Sequence, residues 1–458
     1  MTSRQAQRGS VLILTLWLAT GLAAGALLLG HVAVVRYRRD ANQRAALAAE
    51  HALDAGCGYV VQVLTTLAKA GALPDEEDYT AEDIAVGDCR LWLLGWSSES
   101  DATSPTYGLQ DEAAKLNPSF ATLAMLEAMP GMTAELAAAI VDWRDSDEEV
   151  TTNGAESDTY LACDPPYNAK NGPFETVDEI RLLNGADALL LNGVDRNRNS
   201  LVESWEKQLA DESRERFQDI PDHGLLNLFT VTSREPNQTS AGQARTVLSQ
   251  QNRANVLQTL QRLSSGGGST PTPGAGSSPA PGAGPSPTPP PNPDTLDFSS
   301  VLGFCLSAKI GAEMAPTLFD AFMEEGPGGL NGRININTAS AEVLACVPGI
   351  GEDNAEQVVA YRDKNPEALT SPLWLASALG DEAARKAGPY VTTKSYQVTA
   401  DLVAVGPDGR TFRRARVTYD LTSGTPVLIA HRDLTHLGWP LGEALHRALV
   451  TSQGERSP

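Results

Sequence analysis

The sequence predicts an α+β protein: a long N-terminal helix, a small antiparallel sheet, and a large helical domain inserted into that sheet. Three observations carry the prediction. An unbroken apolar run opens the chain, strand-like segments stand near residue 90 and again beyond residue 396, and a helical hairpin between them occurs twice. The 458 residues leave room for more than one domain. Lys and Arg total 35 against 57 Asp and Glu, a net charge of −22. Such a surface repels phosphate backbones, which argues against nucleic acid as the main partner. The cysteines (Cys57, Cys89, Cys163, Cys305, Cys346) show no C-x-x-C spacing, which disfavours zinc ribbons and thioredoxin-like chemistry. Six scattered histidines leave little material for a His-based catalytic centre.

From Val11 to Val35 the only ionisable residue is His31. As a helix this run spans roughly 37 Å, enough to cross a bilayer with some tilt. It is longer than the ~7–15-residue apolar core of a secretory signal, and no small-residue cleavage site follows it. Beyond it, Ala41, Ala45, Ala48, Ala52 and Ala55 recur at three- and four-residue steps among Arg, Gln, Glu and Asp. That spacing predicts one rod from about Ser10 to Lys69, apolar in its first half and amphipathic in its second. Gly21 and Gly25 form a G-x-x-x-G pair that suits close helix contact. Arg4 and Arg8 precede the rod while Arg36, Arg38, Arg39 and Arg44 follow its apolar half, so charge alone favours an N-terminus outside.

Leu116–Asp145 and Ile334–Asp363 match without a gap at a constant offset of 218 residues. Asn117 pairs with Asn335, Leu126 with Leu344, Pro130-Gly131 with Pro348-Gly349, Trp143 with Tyr361, and Arg144-Asp145 with Arg362-Asp363. A helix ending at Pro-Gly, a tight turn and a second amphipathic helix make a helix-hairpin-helix unit of SAM-like type. Such turns often grip DNA phosphates, and Pro348 to Gly351 would serve. Around the second unit, however, Arg333, Arg362 and Lys364 face six acids between Glu342 and Glu367. The charge points to a structural or protein-docking role.

Cys89 to Trp96 reads as a strand just after the rod. Tyr396–Val405 and Thr411–Leu421 flank Gly406-Pro407-Asp408-Gly409, a hairpin signal, and Val427–Ala430 follows as a short third strand. Ala415, Val417, Tyr419 and Leu421 alternate with Arg414, Arg416, Thr418 and Asp420, which predicts one face in and one out. Strands that bracket a helical block describe one domain inserted into another. Ser264 to Pro293 is rich in Pro, Gly and Ser and cannot bury a core, so it reads as an extended linker.

Between Asn192 and Glu206, oxygen-bearing side chains stand at Asp195, Asn197, Asn199, Glu203 and Glu206, positions 1, 3, 5, 9 and 12 of an EF-hand-type loop. Leu201 would give its carbonyl at position 7, and Ser200 replaces the usual glycine at position 6. The loop is a candidate calcium site, against the plainer reading of an Asn-rich polar turn.

With the apolar rod and the paired hairpins, the chain resembles the minor pseudopilin K family of type II secretion (general secretion pathway protein K). Further matching residues are Gly108–Asn117, Trp143–Asp147, Gly154–Tyr160, Tyr167–Leu183 and Asn335–Leu344. The resemblance implies a prepilin-like leader ending at Gly9, cut before Ser10 by a separate prepilin peptidase, with methylation of the new terminus. It implies a cytoplasmic N-terminus, an inner-membrane helix and a large periplasmic domain. Most pilins carry a glutamate at the fifth mature position, where this chain has Leu14. A subunit without that acid cannot bind the terminal amine of a neighbour above it, which suits a filament tip. The resemblance also implies partnership with minor pseudopilins I and J, no enzymatic activity, and calcium in the inserted domain. Asp145, Asp147, Glu156 and Asp158 are weaker calcium candidates there, with plain solvated acids as the alternative. The competing function is a membrane-anchored helix-hairpin-helix protein that binds DNA.

The organisation expected is a leader (1–9), transmembrane and stalk helix (10–72), first part of a pilin-like domain (73–110), and inserted helical domain with the first hairpin (111–263). The linker (264–293), a second hairpin segment (294–392), the pilin-like strands (393–432) and a C-terminal tail (433–458) complete it. A periplasmic setting would permit disulfides, but five cysteines leave one odd and the pairing is not readable.

Overall fold

The computed structural model describes residues 5–96, 104–208, 221–264, 296–324 and 330–454. The Pro-rich linker and the leader residues 1–4 lie outside them. The chain opens with one helix, α1 (Gln5–Leu67), followed by β1 (Ile84–Val86), β2 (Cys89–Leu94) and β3 (Gln110–Asp111). The first hairpin is α2 (Leu123–Glu127) and α3 (Ala134–Arg144), then come α4 (Ser157–Tyr160) and α5 (Ala188–Asn192). A satellite layer holds β4 (Thr246–Leu248), α6 (Arg253–Ser264), α7 (Val301–Ser307), α8 (Ala315–Ala321) and β5 (Phe322–Glu324). Next are β6 (Ile334–Asn335), the second hairpin α9 (Ala341–Ala345) and α10 (Gly351–Lys364), then α11 (Trp374–Leu379), α12 (Asp381–Ala387) and β7 (Val391–Thr392). The chain ends in β8 (Gln397–Val405), β9 (Phe412–Asp420), β10 (Val427–Asp433) and α13 (Gly442–Gly454).

The main sheet runs β1-β2-β8-β9-β10, entirely antiparallel, with β3 added at the end of β8. Segments more than 300 residues apart thus share it, as an insertion requires. The β8–β9 hairpin pairs Val405 with Phe412 and Gln397 with Asp420. Its turn is set by Gly409 at φ +66° and by Asp408, whose carboxylate accepts from the Arg410 and Thr411 N–H groups.

α1 has two environments. Its side chains from Val11 to Val35 are exposed, and this part is apolar and long enough to cross a membrane. Further on, Ala45, Ala49, Ala52, Gly56, Val60 and Leu64 are buried. The inward stripe is therefore rotated from the expected one, because Ala41 and Ala55 stay exposed. Gly56 shows why small residues line it: a Cβ there would lie 2.8 Å from a Leu91 methyl. The helix packs on Leu91, Leu93, Val398, Leu402, Ala415, Val417 and Tyr419. Each fully buried leucine or valine in such a layer contributes about 1.5–3 kcal/mol.

The expectation of one buried and one exposed sheet face is corrected. Arg414 is fully buried, and Asp401, Thr418, Asp420 and Gln397 are buried as well. The face turned away from α1 is covered by the inserted domain, while Leu441 and, from α13, Leu445 cover its far end against Trp92, Leu94, Val403 and Val405. Residues 442–454 thus form a helix with a packed face.

The duplicated hairpins share one core, in which Leu126, Ile140 and Trp143 of the first join Leu344, Val358 and Trp374. Their equivalence extends to atoms. Arg144 reaches back to the carbonyls of Pro118 and Ala121, and Arg362 reaches to those of Ile336 and Ala339, the same pair 218 residues on. Thr122 and Ser340 cap α2 and α9 by accepting from Met125 N and Val343 N.

Candidate functional site

The insert is rooted by Gln110, Asp111 and Glu112, all buried. Gln110 Nε2 donates to the Leu94 carbonyl at 3.1 Å. Asp111 Oδ2 accepts from Asn335 Nδ2 (2.7 Å) and Thr338 Oγ1 (2.6 Å), and Oδ1 accepts from Ser395 Oγ and Ala113 N. Glu112 accepts from Lys115 (2.7 Å), Thr399 (2.8 Å) and Thr230. Burial pushes the Asp111 carboxyl up. It works the same way on Glu112, where Lys115 and the hydroxyls more than offset it and hold that carboxyl below its usual range. A short local segment thereby ties together both hairpins and the sheet.

A carboxylate cluster forms where α3 meets α4. Asp142, Asp145 and Glu156 each offer an oxygen within 4.8 Å of the others. Asp142 and Glu156 are buried, and both Glu156 oxygens and Asp145 Oδ1 lack a hydrogen-bond partner. The Glu156 carboxyl is pushed up to about 7, first by burial and then by the charges of Asp142 and Asp145. Asp142 accepts from Thr151 N at 3.2 Å, and the unpartnered Glu156 oxygens and Asp145 Oδ1 beside it fit a hard cation. Gly154 lies against them, since a Cβ there would fall 2.0 Å from Asp142 Oδ2. Of the four acids expected in this region, Asp145 and Glu156 join the cluster, while Asp147 and Asp158 are exposed and outside it. Asp142 was missed because it sits in the middle of an apolar helical pattern, where nothing in the local sequence marks it.

The Asp195–Glu206 segment forms a loop closed by its own side chains. Asp195, Asn197, Asn199 and Glu206 are buried, and Ser200 takes the left-handed φ of +63° usually supplied by glycine. Asp195 accepts from Asn199 N (3.1 Å) and Ser200 N (2.8 Å), Asn199 Oδ1 from Leu201 N (2.9 Å), and Glu206 from Arg196 N (2.8 Å) and Glu203 N (3.0 Å). Burial raises the Asp195, Glu203 and Glu206 carboxyls, Glu206 to about 7. Glu203, at position 9, is turned to Asn197 Nδ2 (2.8 Å) and Trp205 Nε1 (3.1 Å). The loop is also docked: Arg414 of β9 donates to the Asn197 and Arg198 carbonyls while its guanidinium pairs with Asp401 at 2.8 Å.

Gly9 and Ser10 fall in the first turns of α1, where the backbone alone is described. All five cysteines are free thiols. In the second hairpin turn Gly349 is packed, since a Cβ there would lie 2.4 Å from the Ala383 carbonyl of α12, whereas one on Gly351 would meet nothing within 4 Å.

Fold and sites together define a class: an apolar-helix-anchored protein whose small sheet carries an inserted helix-hairpin-helix domain. Residues 110–196 match the family model described as type II secretion system (T2SS), protein K, and residues 331–392 match the helix-hairpin-helix motif. Over residues 110–196 the inserted domain is thus similar to the protein K family of type II secretion systems. The chain is similar to type II secretion system protein K of Klebsiella pneumoniae, 44% identical over 61 residues, 13% of this chain and 19% of that protein. It is also similar to ComE operon protein 1 of Bacillus subtilis (strain 168), 32% identical over 71 residues, 15% of this chain and 35% of that one. The chain thus spans about a fifth and about a third of the lengths of these curated relatives. A solved chain from the GspK-GspI-GspJ complex of the enterotoxigenic Escherichia coli type 2 secretion system aligns with a TM-score of 0.42 and 12% identity, covering 87% of this chain and 99% of that one.

Proposed function

We propose that this chain is a structural minor pseudopilin at the tip of a type II secretion pseudopilus, where it helps start assembly and move cargo toward the outer membrane. The protein K match over residues 110–196 carries the reading. The rod supports it, because one continuous helix joins an exposed apolar half to a half buried against the sheet. After removal of residues 1–9, α1 stays in the inner membrane among sister helices, and the sheet and insert stand in the periplasm. Leu14, in place of an acid, leaves no site for the amine of a subunit above. Minor pseudopilins I and J are the expected neighbours and the prepilin peptidase the processing partner. The chain's own residues hold, orient and dock; none is assigned a catalytic step.

Calcium belongs to the same proposal. Asp142, Asp145 and Glu156 supply the stronger carboxylate set, and Asp195, Asn197, Asn199, Leu201, Glu203 and Glu206 the loop. A cation at either place would neutralise buried acids and fix the insert's loops.

Mass spectrometry of the membrane-extracted protein tests the pseudopilin reading. The expected N-terminus is Ser10, methylated. An intact Met1, or a cut beyond Val35, would defeat it. Immunolabelling of sheared pseudopili should place the protein at filament ends, and labelling along the shafts would remove the tip assignment.

A further inference from the structure

One cleft departs from the acidic character of this chain. It encloses about 1000 Å³ at the seam between the insert and the edge strand β10, and Arg181, Arg196, Arg198 and Arg432 line it. Arg181 and Arg198 both donate to one neutral oxygen, Asn192 Oδ1, at 2.7 and 2.8 Å. Asp178 is shared: its Oδ1 accepts from Arg181 Nε at 3.1 Å and its Oδ2 pairs with Arg432. Two more carboxylates at the rim serve the backbone, Asp187 accepting from Leu189 N and Asp433 from Thr435 N. Behind Arg198, Arg414 and Arg416 share Asp401. Burial first, and then the like charges of Arg416, Arg181 and Arg414, disfavour the Arg198 charge, with Asp195 partly offsetting them. Cations crowded in this way are relieved by an anion.

We propose that this cleft binds a phosphate group. A carboxylate has two oxygens and is satisfied by two guanidinium forks, the geometry Asp178 already occupies between Arg181 and Arg432. A phosphate has more oxygens and more charge, so it engages the Arg198 fork as well. The cleft is larger than a phosphate ion, which leaves room for the organic part of a phosphate ester or a phospholipid headgroup. Because Arg181 and Arg198 belong to the insert and Arg432 to β10, the bound group would clamp the inserted domain to the sheet edge.

Calorimetric titration of the full chain in maltoside micelles, with chloride as the only other anion, tests this. Inorganic phosphate should bind saturably, and the R198Q/R432Q double variant should weaken it by at least roughly tenfold. D178N should tighten it several-fold, because the internal carboxylate no longer competes, and a variant that merely misfolds cannot give that gain. Titration with glycerophosphoglycerol separates the sources: tighter binding than phosphate marks a lipid headgroup, and weaker binding marks a soluble phosphate. Absence of saturable binding, binding unchanged in both variants, or a dicarboxylate that binds as tightly as phosphate would overturn the assignment.

Discussion

Replacing Arg414 with glutamine should destabilise the protein by about 3 kcal/mol, the low end for breaking a buried pair, because Asp401 keeps Arg416 as a partner. Arg414 is fully buried, its guanidinium pairs with Asp401, and its remaining N–H groups hold the Asn197 and Arg198 carbonyls. The loss is therefore felt twice, in the sheet and in the docked loop. Urea unfolding of the full chain in micelles, followed by tryptophan fluorescence, measures it. An R414M/D401L double variant should lose less, because both fully buried charges leave together and only the partly exposed Arg416 loses its partner. Burial would raise the Asp401 carboxyl, but Arg414 and Arg416 outweigh it and hold the group below its ordinary range. Its contribution is thus fully present above the ordinary carboxylate pKa of about 4 and fades as pH falls through the lower folded value. The difference between wild type and R414Q should be flat between about pH 5 and pH 8. A difference under about 1 kcal/mol would mean the pair is not the anchor argued here.

Calcium should raise the thermal midpoint of the wild-type protein, and D142N or E156Q should abolish most of that rise. Linkage sets the size: a cation at a thousand times its dissociation constant stabilises by about 4 kcal/mol. The substitutions remove one oxygen donor set from a cluster whose oxygens lie within 4.8 Å, so the affinity carried by the remaining carboxylates drops sharply. D195N, in the separate loop, should leave the larger part of the calcium response intact. D147N and D158N should leave all of it intact, because these side chains lie outside the cluster. A calcium response unchanged in D142N and E156Q would remove this cluster from the candidate sites.

How much of this was legible beforehand depended on range. The Asp195–Glu206 loop could be read because its oxygen-bearing side chains lie mostly on alternate positions, and such a loop winds on itself. The α3–α4 cluster could be read only in part. Asp145 and Glu156 stand out as acids after a helix, but Asp142 is enclosed by Ala, Ile and Trp and looks like part of a core face. The stripe on α1 was read one step off, since alanine is too uniform to show which side meets the sheet. Gly56 marks the true side through the approach of Leu91.

The sequence by itself determined the rod, the hairpin strands and the duplication, down to the equivalence of Arg144 and Arg362. Each follows from local periodicity or from repetition, which needs no knowledge of what lies opposite. Only the tertiary structure decided that the polar face of β9 is interior, that residues 442–454 form a packing helix, and that Arg181 and Arg432 face one cleft. Those outcomes depend on a domain that leaves the sheet after β3 and returns at β8. Burial by so distant a segment leaves no trace in the alternation of any one strand.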